Sequence, residues 1–166
     1  MSSLEPASVT PGPTMNPPMP TAPAKAGRQF RRSEESVMPG PFIFIASNRL
    51  KVGKLDAERQ RVPGLVEFIE ANEPRLISFN EYANEDATEV GVVQIHPDTD
   101  SFEFHMEVVR ERAARAYGET LDATTAIQVF GTPTPTIMEM LRRAAGTGVQ
   151  YTVKPHHLGG FTRVVG

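Results

Sequence analysis

The stretch FIFIASNRLKVGK, residues 42–54, decides the fold. Phe42, Ile43, Phe44 and Ile45 open it as a strand that is apolar on both faces, because successive side chains alternate across a sheet. The chain then sets Asn48 beside Arg49, and Lys51, Gly53 and Lys54 close the run. An amide on an otherwise apolar face needs a partner or a cavity. Asn48 therefore reads either as an anchor for the strand end or as a polar group aimed into a pocket.

The flanking sequence continues in a regular alternation. After a strand over 42–52, LDAERQR reads as a polar turn, and Pro63 suits the first position of a helix. Val62, Leu65, Val66 and Ile69 give that helix one apolar face through Asn72, and Pro74 stops it. RLISFNEYA (75–83) and TEVGVVQIH (88–96) predict a hairpin. Asp100 and Glu103 read as a capping pair for a second helix, with Phe102, His105, Met106, Val109 and Ala113 at helical spacing and Gly118 as its end. TTAIQVFG (124–131) is a further strand. The order is β-α-β-β-α-β, so the fold class is α+β: a ferredoxin-like split β-α-β unit with helices on one face of an antiparallel sheet. A helix over 135–145, with Thr136 and Glu139 as its cap and Gly146 as its stop, and a strand over 149–153 extend it.

Composition bounds the chemistry. The chain has 166 residues, a net charge of −3 and no Cys, which removes disulfides, thiolate catalysis and Cys-ligated metal sites. That charge argues against nucleic acid, and no apolar run is long enough for a membrane span. Without disulfides or a secretory signal, a cytoplasmic location is the default. Residues 1–41 hold nine of the fifteen prolines and too few periodic apolar residues to bury a core, so they read as a disordered tail. Its cluster Arg28, Arg31, Arg32 and Ser33 offers a docking or phosphorylation site for a protein partner; a solvated linker is the plainer reading. The expected organisation is a tail over 1–41, a ferredoxin-like domain over 42–131 and a helix-strand extension of it over 132–166. Only one helical layer covers a sheet whose first strand is apolar on both sides. A second copy packed on the face carrying Ile43 and Ile45 is the expected partner, giving a homodimer.

FIFIASNRLKVGK followed by a helix, a hairpin and EVGVVQIHPDTDSFEFHM resembles the antibiotic biosynthesis monooxygenase-like family of dimeric α/β barrels, over residues 42–116. Members include cofactor-independent oxygenases of quinols and polyketide aromatics, and haem-degrading oxygenases. The resemblance implies a pocket between helices and sheet, a small aromatic ligand and no cofactor. Asn48, in NRL, looks like the strand-one Asn of the haem-degrading branch. His96 stands where that branch carries a Trp, and this chain has no Trp, which puts haem handling last among the readings. FEFHM places His105 at a helix position used by the oxygenase branch.

On these grounds His105 and Asn48 are the candidate catalytic pair, with Phe44, Phe102, Met106 and His96 around the substrate. His105 reads equally as a core histidine bonded to backbone or as a base for a substrate hydroxyl. His96, just before Pro97, reads locally as an exposed turn residue. Adjacent His156 and His157 point apart in an extended segment, so no metal site is expected. The functional reading is a cofactor-independent monooxygenase-like protein acting on an aromatic or quinol-type molecule; the alternative is a non-catalytic dimeric module that binds a ligand or a protein.

Overall fold

The computed structural model describes residues 40–163. The tail expected over 1–41 lies outside this range save for its last two residues. Five strands and three helices follow in the order β1 (Phe42–Leu50), α1 (Leu55–Asn72), β2 (Ser78–Ala83), β3 (Glu89–His96), α2 (Thr99–Glu119), β4 (Leu121–Phe130), α3 (Pro135–Ala145) and β5 (Gln150–Lys154). The sheet order is β2-β3-β1-β4-β5, antiparallel throughout except for the parallel β4–β5 pair. The first four strands form the expected ferredoxin-like unit, and α3 with β5 adds the expected extension to the β4 edge.

Alternation along β1 sorts the two faces. Phe42, Phe44, Ala46, Asn48 and Leu50 are buried under the helices, whereas Ile43, Ile45 and Ser47 lie half-buried on the other side. Cross-strand partners share a face, so Ile95, Val93 and Phe130 join Ile43 and Ile45 on the uncovered side. Phe102 is the centre of the core: its ring lies 5.1 Å from Phe42, 5.0 Å from Phe44 and 5.2 Å from His96. Ile137 and Leu141 of α3 close the same cluster from the far side.

Several local expectations are corrected. LDAERQR is helix, not turn, and Pro63 sits inside α1. The segment holds because Glu58 is buried against Arg61 and because the missing N–H of Pro63 falls on a partly open side of the helix. Val66, expected on the buried face, is exposed. α2 begins earlier than expected, since Asp98 is the N-cap and its Oδ1 accepts from the Ser101 N–H at 2.8 Å. Gly118 does not stop α2, which runs on to Glu119, so β4 starts at Leu121. For α3 the bounds agree, but the cap is Thr134, whose hydroxyl accepts from the Ile137 N–H at 3.1 Å and donates to Glu103 at 2.6 Å. Gly146 ends that helix at φ 79°, a left-handed conformation that glycine adopts without strain.

Candidate functional site

A cavity of about 320 Å³ lies between the sheet, α1 and α2. Its wall is largely apolar, with Phe44, Ala46 and Val92 from the sheet, Leu65 and Ile69 from α1, and Met106 and Val109 from α2. Besides Gln94 and Arg110, polar side chains enter this wall at three places, and two of them are the residues singled out in the sequence.

His105 is the first. It is buried on α2, and its Nδ1 lies 2.8 Å from Glu73 Oε2 and 3.0 Å from Oε1. Both side chains are almost wholly withdrawn from solvent, at 1% and 2% exposed. Glu73 is the C-cap residue of α1, so the helix end itself delivers the carboxylate. An N–H donated from Nδ1 to Glu73 fixes the tautomer and leaves Nε2, which has no protein partner among the described residues, as the free lone pair. The Phe79 ring, 6.1 Å from the imidazole, forms the adjoining wall.

Asn48 is the second. A β-bulge between Ser47 and Asn48 skips Thr125 and sets Thr124 opposite Asn48 on the inner face. Asn48 Oδ1 then accepts from the Tyr117 hydroxyl at 2.7 Å and from the Thr124 hydroxyl at 2.9 Å. Burial raises the Tyr117 phenol above its ordinary pKa, which keeps it a donor. Lys51 braces this end by donating to the carbonyls of Tyr117 and Gly118 at 3.1 and 2.7 Å, where a helix C-terminus attracts a cation. Arg49, on the other face, pairs with exposed Asp122.

The third is a carboxyl pair that the sequence reading did not single out. Glu58 accepts two bonds from Arg61, Nε to Oε2 at 2.8 Å and a terminal nitrogen to Oε1 at 2.5 Å. Glu81 on β2 points its carboxyl to the same spot, and Arg61 and Glu81 line the cavity. Burial, and then the neighbouring Glu58, push the Glu81 carboxyl up to about 8. Glu58 is held down at about 2: burial would raise it, but the bonds from Arg61 and from protonated Glu81 outweigh that. Two carboxyls thus share one proton beside a guanidinium.

The cavity therefore contains both His105 and Asn48, but not as neighbours. Tyr117, which holds Asn48, lies twelve residues along α2 from His105, about 18 Å at the rise of a helix. Phe44 and Met106 line the cavity as expected. Phe102 and His96 do not. Phe102 is fully buried in the core behind the wall, and His96 is fully buried rather than exposed. His96 Nδ1 meets the Ser101 hydroxyl at 3.1 Å and Nε2 meets Gln94 at 3.2 Å, so both ring nitrogens are used. Burial, with His105 nearby, drops its pKa to about 3, which makes it a neutral core imidazole. Of the residues missed, Glu81 carried a readable signal: it shares the period-2 face of Phe79, where an acid is out of place. Glu58 and Arg61 were hidden in a segment read as a turn, and Glu73 had no local signal at all.

No protein-family model matches the chain, and no curated protein matches it in sequence. Solved structures do match. MupZ from Pseudomonas fluorescens superposes with a TM-score of 0.57 at 14% identity, over 76% of this chain and 99% of that one. The likeness is one of fold. Chains described as candidate antibiotic biosynthesis monooxygenases are among the similar structures, including one from Caulobacter crescentus (TM-score 0.49, 15% identity, 55% of this chain and 89% of that one). A Mycobacterium tuberculosis protein is similar at a TM-score of 0.46 and 18% identity, over 57% of this chain and 97% of that one. The architecture read from the sequence, a ferredoxin-like split β-α-β unit with a helix-strand extension, is the one the structure has.

Proposed function

We propose that the protein is a cofactor-independent monooxygenase whose substrate is a small aromatic ketone or phenol that loses a proton to His105. The observation that carries this reading is the His105–Glu73 pair: a buried imidazole tied through Nδ1 to a carboxylate, with Nε2 free, at the wall of an apolar cavity. Such a pair can take a proton at Nε2 while Glu73 stabilises the imidazolium that forms. A dry pocket favours the next step, because the substrate anion is stripped of water and reacts directly with dioxygen. For anthrone as a probe, the ring methylene gives up both of its hydrogens and becomes a ketone carbonyl. One atom of dioxygen enters that carbonyl, and the other leaves as water with the two hydrogens. The four electrons that reduce dioxygen all come from the substrate carbon, so no external reductant is needed. Asn48, held by Tyr117 and Thr124, would orient the far end of the ligand. The face carrying Ile43, Ile45, Val93 and Ile95 would pack on a second copy, giving a homodimer with one cavity in each subunit.

Oxygen uptake with anthrone under isotopically labelled dioxygen tests the chemistry. The reading requires one labelled oxygen in anthraquinone, the other in water, and no hydrogen peroxide. Tight binding of aromatic ligands with no oxygen uptake would favour the non-catalytic binding module instead.

A further inference from the structure

The two halves of α1 are held in different ways. Of its 18 residues two are buried, Glu58 and Ile69. Packing and the helix end fix the second half: Ile69 is buried, the Arg112 guanidinium lies 3.7 Å from the Phe68 ring centre, and Glu73 holds His105. In the first half the buried residue is an acid. Leu55 and Val62 are half-buried, Leu55 against the small cluster of Leu50, Val90, Ala116 and Leu121.

Polar contact ties this half to the sheet through Glu81 of β2. Arg61 approaches Glu81 Oε2 at 3.7 Å, while Oε1 has no partner among the described residues. A proton on Glu81 resolves this, because one carboxyl oxygen then donates to Glu58. The Thr120 hydroxyl also favours the Glu58 charge. With the Glu81 side chain 4% exposed, the contact is dry and joins protein to protein.

Weak points bound the first half on both sides. Before it, Gly53 turns at φ 71° behind a fully exposed Val52, and Lys54, the N-cap, makes no side-chain cap bond. After it come Pro63 and Gly64, inside the helix. Pro63 removes one i→i−4 bond, glycine is a poor helix former, and a Cβ at Gly64 would meet nothing within 4 Å. Helices bend at such positions. Arg61 and Leu65, on either side of this point, both line the cavity, so bending there uncovers its wall.

We propose that residues 55–62 form a flap over the cavity, hinged at Gly53 and at Pro63–Gly64 and latched to Glu81 by Glu58 and Arg61. Opening the flap admits a ligand, and closing it dries the pocket again. The flap needs the cavity but not the oxygenase chemistry, so either can fail without the other.

Hydrogen exchange read by mass spectrometry on the full chain tests the hinge. Amides of 59–62 should exchange at least about tenfold faster than those of 66–72. Glu81→Leu should speed exchange over 59–62 by about 10–100-fold, the worth of a hydrogen bond to a charged group, and leave 66–72 unchanged. Glu81→Gln, whose amide can still donate to Glu58, should stay close to wild type. Gly64→Ala should slow exchange over 59–62 by about fivefold, the usual gain from alanine in a helix interior. Equal exchange of the two halves in the wild-type protein, or an equal change in both on Glu81→Leu, would make α1 one rigid body and overturn the proposal. The gate has its own readout. The chain has no Cys, so Ala46→Cys sets a single buried thiol on the cavity wall. Its labelling by methyl methanethiosulfonate should quicken with Glu81→Leu and slow with Gly64→Ala, in step with exchange over 59–62. One labelling rate in all three backgrounds would put the entrance elsewhere and overturn the gate.

Discussion

Replacing Glu81 by Gln should change how stability depends on pH, and the structure sets both sign and size. In the folded protein the Glu81 carboxyl titrates at about 8, against an ordinary value of 4.5. A folded-state pKa above the unfolded one means that the native state holds a proton which the unfolded chain releases. The contribution is fully present below 4.5 and is lost as pH rises through about 8. Other perturbed groups act elsewhere. His96, depressed from 6.5 to about 3, costs stability only as pH falls below 6.5. Glu58, lowered to about 2, acts only below its ordinary value of 4.5. Of these three groups, only Glu81 changes its contribution between pH 6.5 and the onset of phenol ionisation. At about 1.36 kcal/mol per pH unit per proton, with half of the proton gone near pH 8, the wild-type protein should lose about 2 kcal/mol between roughly pH 6.5 and 9. Urea denaturation at half-unit pH intervals reads this directly as a shift in midpoint at constant slope. Glu81→Gln should flatten the curve over that range, and Glu58→Gln should flatten it too, because the shared proton belongs to the pair. A wild-type curve that is level over this range, or an equal fall in wild type and Glu81→Gln, would refute the shared-proton account.

Phe102→Ala should cost about 3–5 kcal/mol, as for other large aromatic deletions from a packed core, measured by the same denaturation. Asn48→Ala leaves the Tyr117 and Thr124 hydroxyls without their common acceptor and should cost about 1–3 kcal/mol, whatever becomes of activity. Ile45→Asp should convert a micromolar homodimer to a folded monomer in light-scattering measurements; a wild-type protein that is already monomeric would contradict the expected interface.

The architecture was legible because it rests on periodicity. Alternation in FIFIASN, the Asn84–Ala87 turn and the helical spacing from Phe102 to Ala113 are local signals, and each produced its element. The errors came where a distant contact overrode a local preference. Pro63 argued for a helix start, yet the pairing of Arg61 with Glu58 and Glu81 carries α1 about two turns further back. The site was legible only in outline. His105 and Asn48 stood out as polar residues on apolar faces, which is a sequence property. Their partners did not: Glu73 lies 32 positions from His105, and Thr124 lies 76 from Asn48. His96 was misplaced for the same reason, since a residue before proline at a strand end carries no sign that Gln94 and Ser101 enclose it.

The central claim is that His105 removes a proton from an aromatic substrate, and the most direct test is the initial rate of oxygen uptake with anthrone for wild type and His105→Gln. Glutamine can still donate to Glu73, so the variant keeps the buried carboxylate partnered, and its thermal melt establishes that it is folded. The account predicts a loss of about 10²–10⁴-fold in rate, the usual worth of a positioned general base, with anthrone affinity little changed. A folded His105→Gln protein that consumes oxygen at the wild-type rate would contradict it.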